Sequence, residues 1–135
     1  MSAGGDVQRL GSGGRWESIV GYSRVIHVGD RVLVSGTTAT TPDGAIAGVG
    51  DPYAQAVQIL DNVHSALGRV GAALSDVIRT RVYLVDVGHF DAVARAHGEA
   101  FSEIRPVNTT VIVAALVDPR MLVEIEAEAY LPGAG

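Results

Sequence analysis

Pro106-Val107-Asn108-Thr109-Thr110-Val111-Ile112-Val113-Ala114-Ala115-Leu116, followed after a short break by Leu122-Val123-Glu124-Ile125-Glu126-Ala127-Glu128-Ala129, decides the fold. The first run is β-branched and entered through a proline; the second alternates apolar residues with glutamates at period two, the pattern of a strand with unlike faces. Val123, Ile125, Ala127 and Ala129 share one face and belong in a core. Glu124, Glu126 and Glu128 share the other, which requires water or cations. The plain reading of this carboxylate ladder is a solvated, charge-protected sheet face.

Upstream, residues 76–86 form a second strand pattern, with Ile78, Thr80, Val82 and Leu84 on one face and Arg79, Arg81, Tyr83 and Val85 on the other. If the two strands are neighbours, the arginines neutralise Glu126 or Glu128. Between them lies a helix over about 89–102, whose stripe of Phe90, Val93 or Ala94, His97 and Phe101 turns His97 inward as a hydrogen-bonded core histidine. An earlier helix opens at Asp51-Pro52, an N-cap followed by proline at the first helical position. Its buried stripe reads Val57, Leu60, Val63 with Ala66 or Leu67, and Val70, with Gly71 as C-cap. Arg24 to Val28 and Arg31 to Ser35, joined by Gly29-Asp30, form a hairpin with glycine first, as a type II′ turn prefers. His27 and His64 read as structural or surface residues. Residues 38–50, with Pro42-Asp43-Gly44, read as a loop. Residues 1–15, rich in glycine and serine, read as a flexible arm, and Trp16 as the residue that pins the first ordered segment.

Strands paired by hairpins, with two helices on one face, make an α+β sandwich: one domain over 16–132 built on a mixed β-sheet. At 135 residues and 14.0 kDa the chain suits a single core that buries roughly two-thirds of the unfolded surface. Apolar content of 47% without a membrane-length run, and no basic-then-apolar leader pattern, predict a soluble, cytoplasmic protein with no membrane partner. A net charge of −5 and a pI of about 5.2 argue against sequence-blind nucleic-acid binding.

There is no cysteine, so disulfides, thiolate metal sites and thiol nucleophiles are excluded. All ten basic residues are arginine, which excludes lysine Schiff bases, internal pyridoxal phosphate and a phosphate-loop lysine. The histidine spacing suggests no metal, and neither a Gly-x-Ser-x-Gly elbow nor a dinucleotide turn occurs.

Gly21-Tyr22-Ser23, the strand ending Val34-Ser35-Gly36, Gln55 and Asn62 on the first helix, Pro106-x-x-Thr109 and Val123-Glu124-Ile125-Glu126-Ala127 together resemble the RidA/YjgF family, from about Gly21 to Ala129. The resemblance implies a chorismate-mutase-like α+β fold, a homotrimer with a central barrel, and ligand clefts between subunits. It implies hydrolysis of reactive enamines and imines, such as 2-aminoacrylate, with no cofactor. Among site residues it implies Glu124, which positions the attacking water, and Tyr22 as catalytic. Ser35, Gly36, Thr37, Asn108 and Thr109 are implied as ligand-binding.

The family arginine that grips a substrate carboxylate falls at Asn108, and a family asparagine on the second helix falls at Ala94. An amide brings hydrogen bonds but no charge. Arg24 is then the candidate replacement cation, with Arg81 second. The leading expectation is hydrolysis or deamination of a small metabolite other than 2-aminoacrylate. The alternatives are a non-catalytic metabolite-binding or regulatory trimer, and an enamine or imine deaminase with a relocated arginine. Ribonuclease activity is disfavoured by the acidity.

Overall fold

In a computed structural model of the chain, which describes residues 6–132, six strands form one sheet in the order β1-β2-β3-β6-β4-β5. They are β1 (Val7–Leu10), β2 (Val25–Val28), β3 (Arg31–Thr37), β4 (Val77–Leu84), β5 (Val107–Ile112) and β6 (Val123–Tyr130), with helices α1 (Pro52–Gly68) and α2 (Phe90–Phe101). All pairings are antiparallel except β4 with β5, which α2 connects as a parallel crossover. The sheet is therefore mixed, and not every strand is paired through a hairpin.

The expected hairpin is present. Gly29 takes φ +58 while Asp30 keeps a negative φ, as a type II′ turn requires. On β6, Val123, Ile125, Ala127 and Ala129 are buried beneath the helices together with Val25, Val32, Val34, Val82 and Leu84. Asp51 caps α1 by accepting the Ala54 N–H at 3.0 Å. The fully buried Gln55 of α1 donates to the Arg120 carbonyl at 2.8 Å and accepts the Leu122 N–H at 2.9 Å, which fixes the entry to β6. Asn62 donates to the carbonyls of Thr38 and Thr40, which fixes the exit from β3.

Two bulges set the register. From Val34 to Thr37, β3 advances three residues while β6 advances two, so the extra residue lets both Val34 and Thr37 reach the core. From Val77 to Arg79, β4 advances two residues against one on β6. This second bulge corrects the expected alternation: Val77 is buried and Ile78 is exposed.

Other expectations are corrected as well. The stripe of α1 turns on Ile59 and Ala56, with Val57 exposed, because the core lies nearer the Gln55 side of the helix. Phe90, at the first turn of α2, is exposed. The apolar run after Pro106 leaves the sheet at Ile112. Trp16 is partly exposed beneath the Arg15 guanidinium, 4.5 Å from its ring centroid, and does not anchor the chain in the core.

The expected flexible arm is ordered in part. Val7–Leu10 forms an edge strand on β2, and Arg69 donates to the Gly11 carbonyl at 2.6 Å; residues 1–5 lie outside the described residues. No helix among the described residues is long and apolar enough to cross a membrane.

The corrected stripe has a measurable consequence. Ile59→Ala should cost about 2–5 kcal/mol of stability through the cavity it leaves, whereas Val57→Ala should stay within about 0.5 kcal/mol. Urea unfolding at equal protein concentration checks both, and equal losses would put the stripe back at Val57.

Candidate functional site

The glutamate ladder is not uniform. Glu128 pairs with Arg31 and, at 3.6 Å, with Arg79. Glu126 accepts from Tyr83 and, at 3.2 Å, from Arg81. The neighbouring carboxylate raises the Tyr83 pKa, mainly through that hydrogen bond. These two glutamates are the neutralised, structural ones expected from strand pairing, and the pairing commits Arg81 to Glu126.

Glu124 differs. Among the described residues no side chain donates a hydrogen bond to it, and its pKa is raised: burial pushes it up most, the Arg24 charge pulls it part of the way back, and Glu126 adds a smaller upward push. Its neighbour is the β3 bulge. A Cβ added at Gly36 would fall 2.0 Å from the Glu124 carboxylate, so only glycine lets the carboxylate lie there.

Arg24, mostly buried, organises the ground around that carboxylate. One terminal nitrogen donates to the Gly36 carbonyl at 2.8 Å and to the Thr37 hydroxyl at 3.1 Å, and the other to the Tyr22 hydroxyl at 3.2 Å. Its Nε lies 3.6 Å from Glu17. Ser35 donates to the Ser23 carbonyl at 2.6 Å, and Thr37 to the Ser35 carbonyl at 2.7 Å.

Tyr22, Arg24, Ser35, Gly36 and Thr37 therefore form one cluster at the β3 bulge beside Glu124, whose carboxyl lies on the sheet face opposite the helices. Glu17 joins it and escaped the sequence reading. It accepts from the Ser12 backbone at 2.9 Å and hydroxyl at 2.5 Å. Burial pushes its pKa up, but the Ser12 hydrogen bonds and Arg24 outweigh that and leave it lowered. No periodicity marks Glu17, because its partners come from a glycine-rich loop.

Asn108 lies elsewhere. In the parallel register it sits beside Thr80, which is buried on the helix-facing side, and its Nδ2 donates to the Thr80 hydroxyl at 3.0 Å. Thr80 is 2.8 Å from His97 Nε2, so His97 does face inward as a hydrogen-bonded histidine; burial lowers its pKa. Asn108 and His97 line a cleft of about 150 Å³ with Val82, Val93, Ala94 and Thr110. Thr109, the next residue along β5, pairs with Arg81 and so presents the opposite face. The expected site residues thus fall into two groups, on opposite faces of the sheet. No cluster of potential metal ligands occurs among the described residues.

Residues 13–131 match the family model described as endoribonuclease L-PSP. The chain is 44% identical over 124 residues to an uncharacterized protein of Streptomyces coelicolor, covering 92% of each. It is 33% identical to a RutC family protein of Pyrococcus abyssi, covering 81% of this chain and 85% of that one. Its structure superposes on that of a Mycobacterium tuberculosis member of the YjgF/YER057c/UK114 family with a TM-score of 0.85, at 43% identity, covering 93% of this chain and all of the other. A RidA from an Antarctic Psychrobacter superposes with a TM-score of 0.77, at 30% identity, covering 82% and 89%.

The raised pKa of Glu124 carries a sign. A carboxyl whose folded pKa lies above its unfolded value favours the protonated native state, so stability falls as pH rises from the unfolded pKa through the folded one. Glu124→Gln should therefore be more stable than the parent at pH 7, with the gain vanishing below the ordinary glutamate range near 4.5. Denaturation midpoints across pH test this, and a gain independent of pH would remove the ionisation argument.

Proposed function

The chain belongs to the RidA/YjgF family, and on that premise we propose that it is a cofactor-independent hydrolase or deaminase of a small metabolite other than 2-aminoacrylate, working in clefts shared between subunits of a homotrimer. The observation that carries the reading is Glu124: a half-buried carboxyl with a raised pKa and no side-chain donor among the described residues, held beside Tyr22 and Arg24. Such a group takes a proton from water near neutral pH more readily than an ordinary carboxylate does.

In this mechanism Glu124 orients and deprotonates the attacking water. The Tyr22 hydroxyl, positioned by Arg24, donates to the oxygen or nitrogen on which charge develops. Ser35, Gly36 and Thr37 shape the wall, and Arg24 balances charge as the carboxylate gains and releases its proton. Asn108 holds the far end of the substrate, and Thr109 borders it.

The separation of the two groups supports the shared cleft. Glu124 points away from the helices and Asn108 lies on the helix side, so a small ligand reaches both only when two copies face each other. Strand β5 fits such an arrangement, since it is an edge strand with Val107, Val111 and Ile112 exposed. A trimer built this way completes three equivalent sites by symmetry. The alternative, a trimer that binds a metabolite without turning it over, predicts binding that survives Glu124→Gln with no turnover in the parent.

Two measurements test the proposal. With 2-aminoacrylate generated in situ by a dehydratase, the parent should be weak or inactive and Asn108→Arg should gain activity; parent activity at the level of an arginine-bearing relative would overturn the substrate assignment. Once a turned-over substrate is in hand, Glu124→Gln and Asn108→Asp should each be inactive alone. Refolded together they should recover about a quarter of the parent rate, because one cleft in four then unites two intact halves. No recovery in mixed oligomers would place the whole site within one chain.

A further inference from the structure

The cleft between β5 and α2 has a polar side and an apolar side. Val82, Phe90, Val93 and Ala94 supply the apolar wall, while Asn108, Thr110 and His97 supply the polar one. None of its lining residues carries a permanent charge.

The hydrogen bonds along the polar side have a direction. Thr110 donates to Asn108 Oδ1 at 3.0 Å, and Asn108 Nδ2 donates to Thr80 Oγ1 at 3.0 Å. Thr80 Oγ1 lies 2.8 Å from His97 Nε2, which accepts the Thr80 hydrogen when His97 is the neutral Nδ1–H tautomer. Burial favours the neutral imidazole. A carboxamide has two N–H donors and two oxygen lone pairs, so Asn108 keeps one of each for a ligand.

Arg24, the arginine of the Glu124 cluster, is already committed. Arg24 directs its donors to Gly36, Thr37 and Tyr22, and Glu17 faces it at 3.6 Å. A ligand carboxylate would meet no permanently charged side chain among the residues lining this cleft, and Asn108 would present it an acceptor as well as a donor, which is costly.

We propose that the cleft selects small neutral molecules bearing a planar group with one donor and one acceptor, a primary carboxamide or a lactam edge, read by Asn108 while Thr80 and His97 hold the amide in that orientation. The assignment deepens the hydrolase reading by naming its substrate class, and rests on that reading only for the cleft being the substrate site. Asn108 is the specificity-determining contact; Thr80 and His97 are positioning residues.

Isobutyramide and isobutyrate share one skeleton and differ in the group that Asn108 would read. Titrated into the full-chain protein and followed by the backbone amide resonances of Asn108, Thr110 and His97, isobutyramide should bind about tenfold more tightly than isobutyrate. Asn108→Arg should reverse the order. Thr80→Val, which keeps the side-chain shape and removes the hydroxyl, should bring the two affinities together, and Thr80→Ser should restore the preference. Isobutyrate binding as tightly as isobutyramide to the parent, or neither probe shifting those resonances, would overturn the proposal. An unchanged preference in Thr80→Val would overturn the positioning role.

These outcomes separate from those for the hydrolase. Loss of turnover in Glu124→Gln leaves the probe preference in place, and a parent with that preference but no turnover on any amide refutes the hydrolase reading alone.

Discussion

Strand β6 lies between β3 and β4, and its alternation of apolar residues with glutamates imposes a condition on both neighbours. Every second residue must meet a dry core, and every residue between must meet either water or a cation. On the core side the condition is met by β-branched side chains of β3 and β4 and by the stripes of two helices. On the other side it is met by arginines placed to fit: Arg31 from β3, and Arg79 and Arg81 from β4. The bulge at Ile78 belongs to this solution, because it brings Val77 to the core and still leaves Arg79 beside Glu128. Partly exposed pairs of this kind add little stability each, about 0–1 kcal/mol, but they remove the repulsion that three adjacent carboxylates would otherwise exert.

Glu124 is the one member of the ladder outside that arrangement. A half-buried carboxyl without a donor is costly when ionised, which is the physical content of its raised pKa. The surrounding chain maintains the cost instead of relieving it. Gly36 clears the space, Gln55 fixes the backbone just before β6, and Arg24 is close enough to temper the carboxyl while its hydrogen bonds go to other groups. Functional groups are commonly held at such a cost to stability. Glu17 lies 3.6 Å from Arg24 Nε, so this arginine faces a second carboxylate besides acting on Glu124.

Strand type and face were legible wherever the period was unbroken. β6, the β2–β3 hairpin and the capped start of α1 follow from local residues alone, whereas the pairing of Arg79 and Arg81 with Glu128 and Glu126 follows only once β4 and β6 are neighbours. The failures have particular causes. Ile78 was placed in the core because a period of two does not reveal a bulge. Val57 and Ile59 both fit an apolar stripe, and only the direction of packing chooses between them. Val7–Leu10 was read as part of a flexible arm because its glycine-rich surroundings hide a short edge strand whose partner lies fifteen or more residues away. The cluster around Glu124 was found through family motifs, not through spacing. Its members lie on β3, β6 and the segment before β2, and nothing in the order of residues brings them together.

Asn108 illustrates the difference between locating a residue and knowing its chemistry. Its position on β5 follows from the motif, but the face it takes follows from the parallel register with β4, which puts it beside Thr80 and not beside Arg81. An arginine at that position would have a long side chain and a charge able to reach out of the cleft. An asparagine is short, and its amide is already half committed to Thr80 and Thr110. What remains is one donor and one acceptor, in a cleft whose other wall is apolar. Discrimination by such a pair does not depend on charge, so salt screens it little, and it is strongest against ligands that leave one of its two groups unpaired. The same sheet thus holds two chemically distinct groups back to back: on one face a half-buried carboxyl with a raised pKa, on the other an amide half committed to its threonine neighbours.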